Sequence, residues 1–327
     1  MALTGMLGTV RFILAALVIL NHLWLPTANR VGAHAVTAFY MISGYLMTKV
    51  IHDVYGHSLR GAGHFLANRA LRIYPIYWFC LFTTLILIAA CGDAFRAYAL
   101  IAVPDMKQLF QNVTLIELGS SEVILVPPAW SLTVEFAYYL AMIAGLSRHR
   151  YVSIAWFSLS LIYTAWLIAS DAPFSERYYP IAAASLFFSI GALVYWYRAS
   201  LHWLRLPSLA FWPLLLLFCF SPMLLESVGL DRLMIGFYLP TFLFVSLVVT
   251  ATQSSELQHD RWLGDLAYPM FLLHFLCAGI VKLVLPGLQP LGEAFLAISF
   301  LLALSLSAAL VRLQSVTIEP ARSRMRR

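Results

Sequence analysis

The sequence predicts an all-α, polytopic membrane protein, and three observations lead to that class. Of the 327 residues, 61% are hydrophobic and only 11% are charged, against roughly 25% charged residues in an ordinary soluble domain. The mean hydropathy is +0.82, which excludes a soluble globular protein, and the aromatic content excludes a disordered chain. The apolar residues come in long blocks and not in alternation, which disfavours a membrane β-barrel.

The apolar residues divide into ten blocks. A membrane-spanning helix needs about 20 mostly apolar residues, so the hydrophobic content also suffices for about ten spans. The blocks lie at about residues 7–25, 35–52, 73–92, 127–146, 151–170, 179–197, 207–228, 232–252, 264–285 and 291–312. The stretch 93–126 mixes apolar and charged residues, which predicts one long loop with room for an amphipathic helix.

The basic residues indicate how the spans are oriented. Ten spans place both termini on one side of the membrane, and 15 of the 21 lysines and arginines then fall on that side. By the positive-inside rule, both termini are expected in the cytoplasm of a multi-pass protein of the cell (inner) membrane. No polar segment is long enough for a separate domain. We therefore expect one membrane domain over residues 1–327 with no additional soluble domain.

Net charge and cysteine usage argue against nucleic-acid binding and against a metal or disulfide framework. The net charge of +6 could indicate nucleic-acid binding in a soluble protein, but here membrane topology explains it, and no nucleic-acid partner is expected. The four cysteines are widely spaced and form no CxxC pair. The sequence therefore predicts neither a metal site nor a disulfide framework.

Ionisable residues inside spans are costly and usually functional. Only His22, Glu135 and His274 lie well within apolar blocks. His22 follows Arg11 by eleven residues, which places both side chains on one face of the first helix, about 16 Å apart along its axis. This alignment in a charge-poor bundle favours function over the alternative, a snorkelling arginine and a hydrogen-bonded core histidine.

The other two ionisable residues invite similar hypotheses. The position of Glu135 in the fourth span predicts the same depth as His22, so we expect the carboxylate to orient the imidazole. A structural ion pair or a protonated, hydrogen-bonded Glu135 is the alternative. His274 either lines a reaction cavity or binds a backbone carbonyl that Pro269 leaves free.

Two further motifs carry polar residues. Arg69 and Arg72 are three residues apart on one helix face, and their forked guanidinium groups suit phosphate oxygens. Ordinary cytoplasmic anchoring explains them equally well. In the second span, Gly44 is typical of close helix packing. Ser43 could contact a ligand, but the sequence supplies no neighbouring base that would make it a nucleophile.

Taken together, these segments resemble the acyltransferase-three family of integral membrane acyltransferases. Five segments carry the resemblance: Arg11 to His22, Phe39 to Tyr45, Arg69 to Pro75, Trp130 to Glu135, and Leu263 to His274. Tyrosines replace two phenylalanines of the family pattern in the second segment, and Ala267 stands where serine is usual. The closing Ile318-Glu319-Pro320 is also similar to the family's end.

The resemblance implies an O-acyltransferase that moves an acyl group, acetyl on family grounds, from cytoplasmic acyl-CoA to a hydroxyl of a cell-surface or lipid-linked glycan, such as an exopolysaccharide unit. Acyl-CoA would be a co-substrate, with no bound cofactor or metal. His22 would be the general base, tuned by Glu135, or would carry a transient acyl group. Arg11, Arg69 and Arg72 would bind acyl-CoA. The residues expected to line the cavity are Ser43, Trp130, Ser131 and His274.

A transporter or flippase for a lipid-linked glycan is the alternative function. It would also need many helices and a polar cavity. Transporters often show inverted repeats, and no repeated pattern relates the two halves of this sequence. The acyltransferase is therefore the favoured interpretation.

Overall fold

A computed structural model describes residues 5–28, 31–92, 95, 102–229, 235–254 and 259–326. Within these residues the chain is helical and contains no β-strand. The α-helices are α1 (Leu7–Leu23), α2 (Gly32–Val50), α3 (Leu59–Cys91), α4 (Met106–Thr114), α5 (Trp130–Ala141), α6 (Arg150–Ala169), α7 (Phe174–Tyr178), α8 (Ile181–Tyr197), α9 (Ser208–Ser227), α10 (Ile235–Gln253), α11 (Asp260–Val284), α12 (Glu293–Thr317) and α13 (Glu319–Arg324).

The predicted fold class is confirmed. Each of the ten apolar blocks coincides with a helix: α1, α2, α3, α5, α6, α8, α9, α10, α11 and α12. Seven helical segments are long and apolar enough to cross a membrane, and α1 and α8 are apolar but shorter. The exact number of ten spans and the cytoplasmic side of the termini stay predictions.

Helix α3 begins earlier than hydropathy predicts. It starts at Leu59 instead of about residue 73, and the hydroxyl of Ser58 caps it by accepting the Gly61 N–H at 3.1 Å. The added turns are polar on one side, but Phe65, Asn68 and Arg69 are buried in the protein. An amphipathic extension of this kind lowers the mean hydropathy, which is why the apolar block marks only the later part of the helix.

Helices α1 and α11 lie parallel and in close contact. A Cβ atom built on Gly8 would lie 1.9 Å from the Asp260 carbonyl oxygen, and one on Gly264 would lie 2.8 Å from the Gly8 Cα. The buried Asp260 carboxylate accepts the N–H groups of Gly8 at 2.9 Å and Thr9 at 2.7 Å. It therefore caps the positive end of α1 from the neighbouring helix and fixes the register of the two helices.

Helix α2 packs against α8 through glycine, as predicted for Gly44. A Cβ atom on Gly44 would lie 2.2 Å from the Phe188 carbonyl oxygen, and one on Gly191 would lie 2.1 Å from that of Met41. The start of α2 is held beside the end of α1, because the Asn21 side chain accepts the Gly32 N–H at 2.9 Å. Since α2 runs back along α1, residues late in α2 lie level with residues early in α1.

In its described part, the predicted loop 93–126 contains the α-helix α4 and a short 3-10 helix, Leu118–Ser120. Residues 93–94 and 96–101 lie outside the described residues. The Asn112 side chain organises the rest of the loop, because its Nδ2 donates to the Val123 carbonyl and its Oδ1 accepts the Leu125 N–H, each at 2.8 Å. Leu118 and Val126 are buried. The loop therefore folds into the bundle before α5 begins.

Candidate active site

Two adjoining cavities lie in the bundle. The larger, here called the vestibule, has a volume of about 670 Å³ and opens beside the first residues of α1 and α11. The smaller, the chamber, has a volume of about 90 Å³ and lies further in. Both are lined by Arg11, Arg69 and Arg72, so the two cavities adjoin at these three arginines, a junction here called the neck.

Positive charge is in excess in the vestibule. Among the described residues, seven basic and four acidic side chains line it; the basic ones are Arg11, Lys49, Arg69, Arg72, Arg261, Arg322 and Arg326. Three of these acids already have partners in the protein. Asp260 caps α1, and Asp53 forms an ion pair with Lys49 at 2.8 Å. Glu319 forms ion pairs with Arg322 and Arg326. Within the part of the chain that the structure describes, Arg11 and Arg72 form no ion pair. The vestibule therefore suits a polyanion.

Glu135 lies in the chamber with two hydroxyl donors. Its carboxylate accepts the Ser43 hydroxyl at 3.0 Å and the Tyr139 hydroxyl one helical turn away. Arg11 lines the same chamber. The carboxylate therefore lies in the chamber wall, which also includes the three arginines of the neck.

The predicted pairing of Glu135 with His22 is wrong. Ser43, the partner of Glu135, lies eleven residues from the start of α2, which is about 16 Å along the helix axis, and that start is fixed beside Asn21. Glu135 therefore lies close to the level of Arg11 and about 16 Å from the level of His22. The prediction assumed that the fourth span begins at the membrane surface. Helix α5 instead begins inside the bundle, after the buried Ala129.

His22 is paired with His274 instead. Its Nδ1 lies 3.1 Å from the His274 Nε2, and the two rings are nearly parallel, with an interplanar angle of 10°. His274 Nδ1 lies 2.8 Å from the Phe271 carbonyl oxygen, which can only accept a hydrogen bond. In the neutral state, His274 therefore carries its proton on Nδ1 and accepts at Nε2, and His22 donates from Nδ1. This assignment leaves the lone pair of His22 on Nε2.

An aromatic pair separates the histidines from the chamber. Phe39 and Phe271 line the chamber and pack edge to face, with ring centroids 5.9 Å apart. His274 follows Phe271 by three residues, which is about 4.5 Å along α11. Neither His22 nor His274 is among the described residues that line the two cavities. The chamber therefore stops about one helical turn short of the histidine pair.

The remaining predicted site residues divide into two groups. Ser43 and Ser131 line the chamber, and the Ser131 hydroxyl donates to the Pro128 carbonyl at 2.9 Å. Trp130 packs edge-on against Tyr178, with ring centroids 5.1 Å apart, and is not among the described residues lining the chamber. His274 does bind a backbone carbonyl, but it is that of Phe271 and not the residue-265 carbonyl that a proline at 269 leaves without its helical donor.

Two contributors escaped sequence analysis. Tyr139 follows Glu135 by four residues on the same helix, and this spacing is a signal that could have identified it. Arg322 reaches the vestibule through a contact with Asn68, 254 positions earlier in the chain, and no local pattern announces such a contact. Among the described residues, no group of three histidine, cysteine or acidic side chains could hold a metal ion.

A helical bundle with spans of membrane-crossing length, a cationic vestibule and a histidine pair of which His274 is buried suits group transfer within a membrane. Comparison with protein families gives the particular group: residues 7–311 match the acyltransferase domain of the acyltransferase-three family. The chain therefore belongs to this family of membrane acyltransferases. Neither a search of curated proteins nor one of solved structures found a match.

Proposed function

We propose that this protein moves an acyl group, in the first place acetyl, from cytoplasmic acyl-CoA to a hydroxyl of a cell-surface or lipid-linked glycan at the inner membrane. One observation carries the proposal. A single helix, α1, bears Arg11 in the wall of the cationic vestibule and, eleven residues on, a histidine whose Nε2 keeps its lone pair. The helix thus links a polyanion site to a base.

The vestibule supplies the donor site. It faces the cytoplasm, where acyl-CoA is found, and Arg11, Arg69 and Arg72 bind the phosphate groups through their forked guanidinium groups. The narrow chamber then takes the long thiol arm of the donor. Acyl-CoA acts as a co-substrate, and the proposed reaction requires no bound cofactor.

The acyl thioester reaches His22 when the side chains of Phe39 and Phe271 move apart. His22 Nε2 then takes the proton of the acceptor hydroxyl while the hydroxyl oxygen forms a bond to the thioester carbonyl carbon. The carbon–sulfur bond breaks, and the departing thiolate receives the proton from His22. His274 keeps its hydrogen bond to His22 Nδ1 throughout, because Nδ1 carries a proton in both the neutral and the charged imidazole.

Glu135 acts in the donor channel and not on His22. It binds the Ser43 and Tyr139 hydroxyls and offsets the positive charge of Arg11 at the neck. A negative charge at this level reduces the electrostatic repulsion among the three arginines, so their guanidinium groups can lie close together. Glu135 is therefore a positioning residue for the arginines that receive the donor.

The test uses purified protein in detergent, supplied with acetyl-CoA and a glycan acceptor. We expect release of free CoA together with acetylated glycan, detected by mass spectrometry. A protein in which His22→Ala folds normally but transfers acetyl at the wild-type rate contradicts the assigned base. A flippase for a lipid-linked glycan would release no free CoA, so the same assay separates the two functions.

A further inference from the structure

The last helix of the chain folds against α3 at the mouth of the vestibule. Helix α13 lies beyond the residues that match the family. The Asn68 Nδ2 donates to the Arg322 carbonyl at 3.0 Å, and Gln314, in the preceding helix, donates to the Arg72 carbonyl at 3.3 Å. Because these hydrogen bonds are made to backbone carbonyls, the packing of α13 against α3 does not depend on the side chain of Arg322.

Asn68 also brings two guanidinium groups together. Its Oδ1 accepts from Arg69 at 3.0 Å and from Arg322 at 3.4 Å. The two arginines are only 6% and 7% exposed, and the Nε atom of each is buried without a hydrogen-bond partner. Two like charges held on one amide oxygen are unfavourable unless an anion joins them. The unpaired Nε–H groups of the two arginines are hydrogen-bond donors for such an anion.

Opposing charge at this point is scarce. Glu319 accepts from Arg322 at 2.6 Å and from Arg326 at 2.9 Å, so one carboxylate serves two arginines. Burial and, after it, the charge of Arg72 lower the pKa of Arg322 to about 10. The guanidinium group therefore remains charged at neutral pH, and the cluster keeps a surplus of positive charge.

The arginines lie at two depths in the cavities. Arg322 lines the vestibule but, among the described residues, is not part of the chamber wall, whereas Arg69, Arg72 and Arg11 line both. A donor whose thiol arm enters the chamber thus meets Arg322 only with the part that remains in the vestibule. In acyl-CoA, the diphosphate adjoins the thiol arm, and the remaining phosphate is a monoester on the ribose beyond it.

We propose that Arg322, held beside Arg69 by Asn68, binds the phosphate monoester at the end of the donor farthest from the thioester. The proposal rests on the proposed function, since it assumes acyl-CoA as the donor. It adds to the donor site a residue from the end of the chain. It also implies that the diphosphate is left to Arg72 and Arg11.

The test compares CoA with 3′-dephospho-CoA as ligands of the purified protein, by titration calorimetry. We expect the wild type to bind CoA at least about tenfold more tightly than 3′-dephospho-CoA, because removal of the phosphate removes charge-assisted hydrogen bonds. In Arg322→Gln this preference should fall to near one. Arg324→Gln is the matched control, because Arg324 lies exposed on the same helix and should keep the full preference. An unchanged preference in Arg322→Gln would overturn the proposal.

A second variant and a second readout keep the inference separate from the proposed function. Arg322→Lys retains one charge but loses the fork, and it should reduce the preference for CoA at least severalfold; if it keeps the full preference, the proposal is wrong. Binding is measured without acceptor. An enzyme that binds CoA with the expected discrimination but transfers no acetyl group would therefore reject the proposed function alone.

Discussion

The two ends of the α1–α11 pair are built differently. At the vestibule end, arginines outnumber their partners, and Arg11 and Arg72 have no ion pair among the described residues. At the other end, both ring nitrogens of His274 are hydrogen-bonded, and the assigned tautomers leave a lone pair on Nε2 of His22. The first arrangement suits binding of a mobile, highly charged molecule, and the second fixes one reactive atom. On the proposed function, binding and chemistry are therefore separated along about 16 Å of the same helix.

The largest expected effect comes from removing the base. His22→Gln should lower the turnover of acetyl transfer by about 10²- to 10⁴-fold, the usual contribution of general acid–base catalysis, while leaving CoA affinity unchanged. Initial rates at saturating acetyl-CoA measure this effect. His149→Gln is the control, because His149 is exposed and outside both cavities. A loss of CoA affinity in His22→Gln would break the separation of the two ends.

The next effect belongs to the donor site. Replacing both Arg69 and Arg72 by alanine should raise the KM for acetyl-CoA by about 10- to 100-fold, because two charge-assisted contacts to phosphate are lost. The KM for the glycan acceptor should stay near its wild-type value. Steady-state kinetics with each substrate varied in turn separate the two constants. An unchanged donor KM would reject phosphate binding by this pair.

His274 sharpens the comparison at the chemical end. His274→Leu removes the acceptor that holds the Nδ1–H of His22, and we expect kcat to fall by about tenfold or more with little change in either KM. His274→Gln offers an amide oxygen in its place and should restore most of the rate. Nitrogen NMR of labelled histidines should show the Nδ1–H tautomer of His22 in the wild type and in His274→Gln. Its retention in His274→Leu would argue against this role.

The smallest expected effect concerns the aromatic pair between the two ends. Phe39→Ala should widen the end of the chamber nearest the histidine pair and allow longer acyl groups to pass. The ratio of butyryl to acetyl transfer should rise a few-fold, in keeping with the modest discrimination that a hydrophobic pocket exerts per methylene. Competition between the two acyl-CoA donors measures this ratio. If it stays constant, Phe39 does not limit the path to His22.

The sequence predicted those features that depend on helix periodicity and apolar length. Ten blocks became ten helices, and the eleven-residue spacing correctly linked Arg11 and His22 along one helix. The predicted depth of Glu135 was wrong, because the fourth span was assumed to start at the membrane surface. Helix α5 begins inside the bundle, which moves Glu135 to the level of Arg11. Such a displacement depends on how loop 102–129 packs, and that packing leaves no periodic trace in the sequence.

Contacts between distant parts of the chain were also beyond prediction. His22 and His274 are 252 positions apart, and so are Gly8 and Asp260. The same offset at both ends shows that α1 and α11 share one register. Glycine at 8 and 264 permits this contact, but a glycine in a span indicates only that some helix comes close, without identifying which one.

The saturation curve for acetyl-CoA, measured side by side for His22→Gln and the Arg69→Ala plus Arg72→Ala variant, tests the central claim most directly. The account predicts that the histidine variant reaches a plateau at least 10²-fold lower with an unchanged midpoint. The arginine variant should approach the wild-type plateau at a higher midpoint. If both variants change the same parameter, binding and chemistry are not divided between the two ends of the bundle.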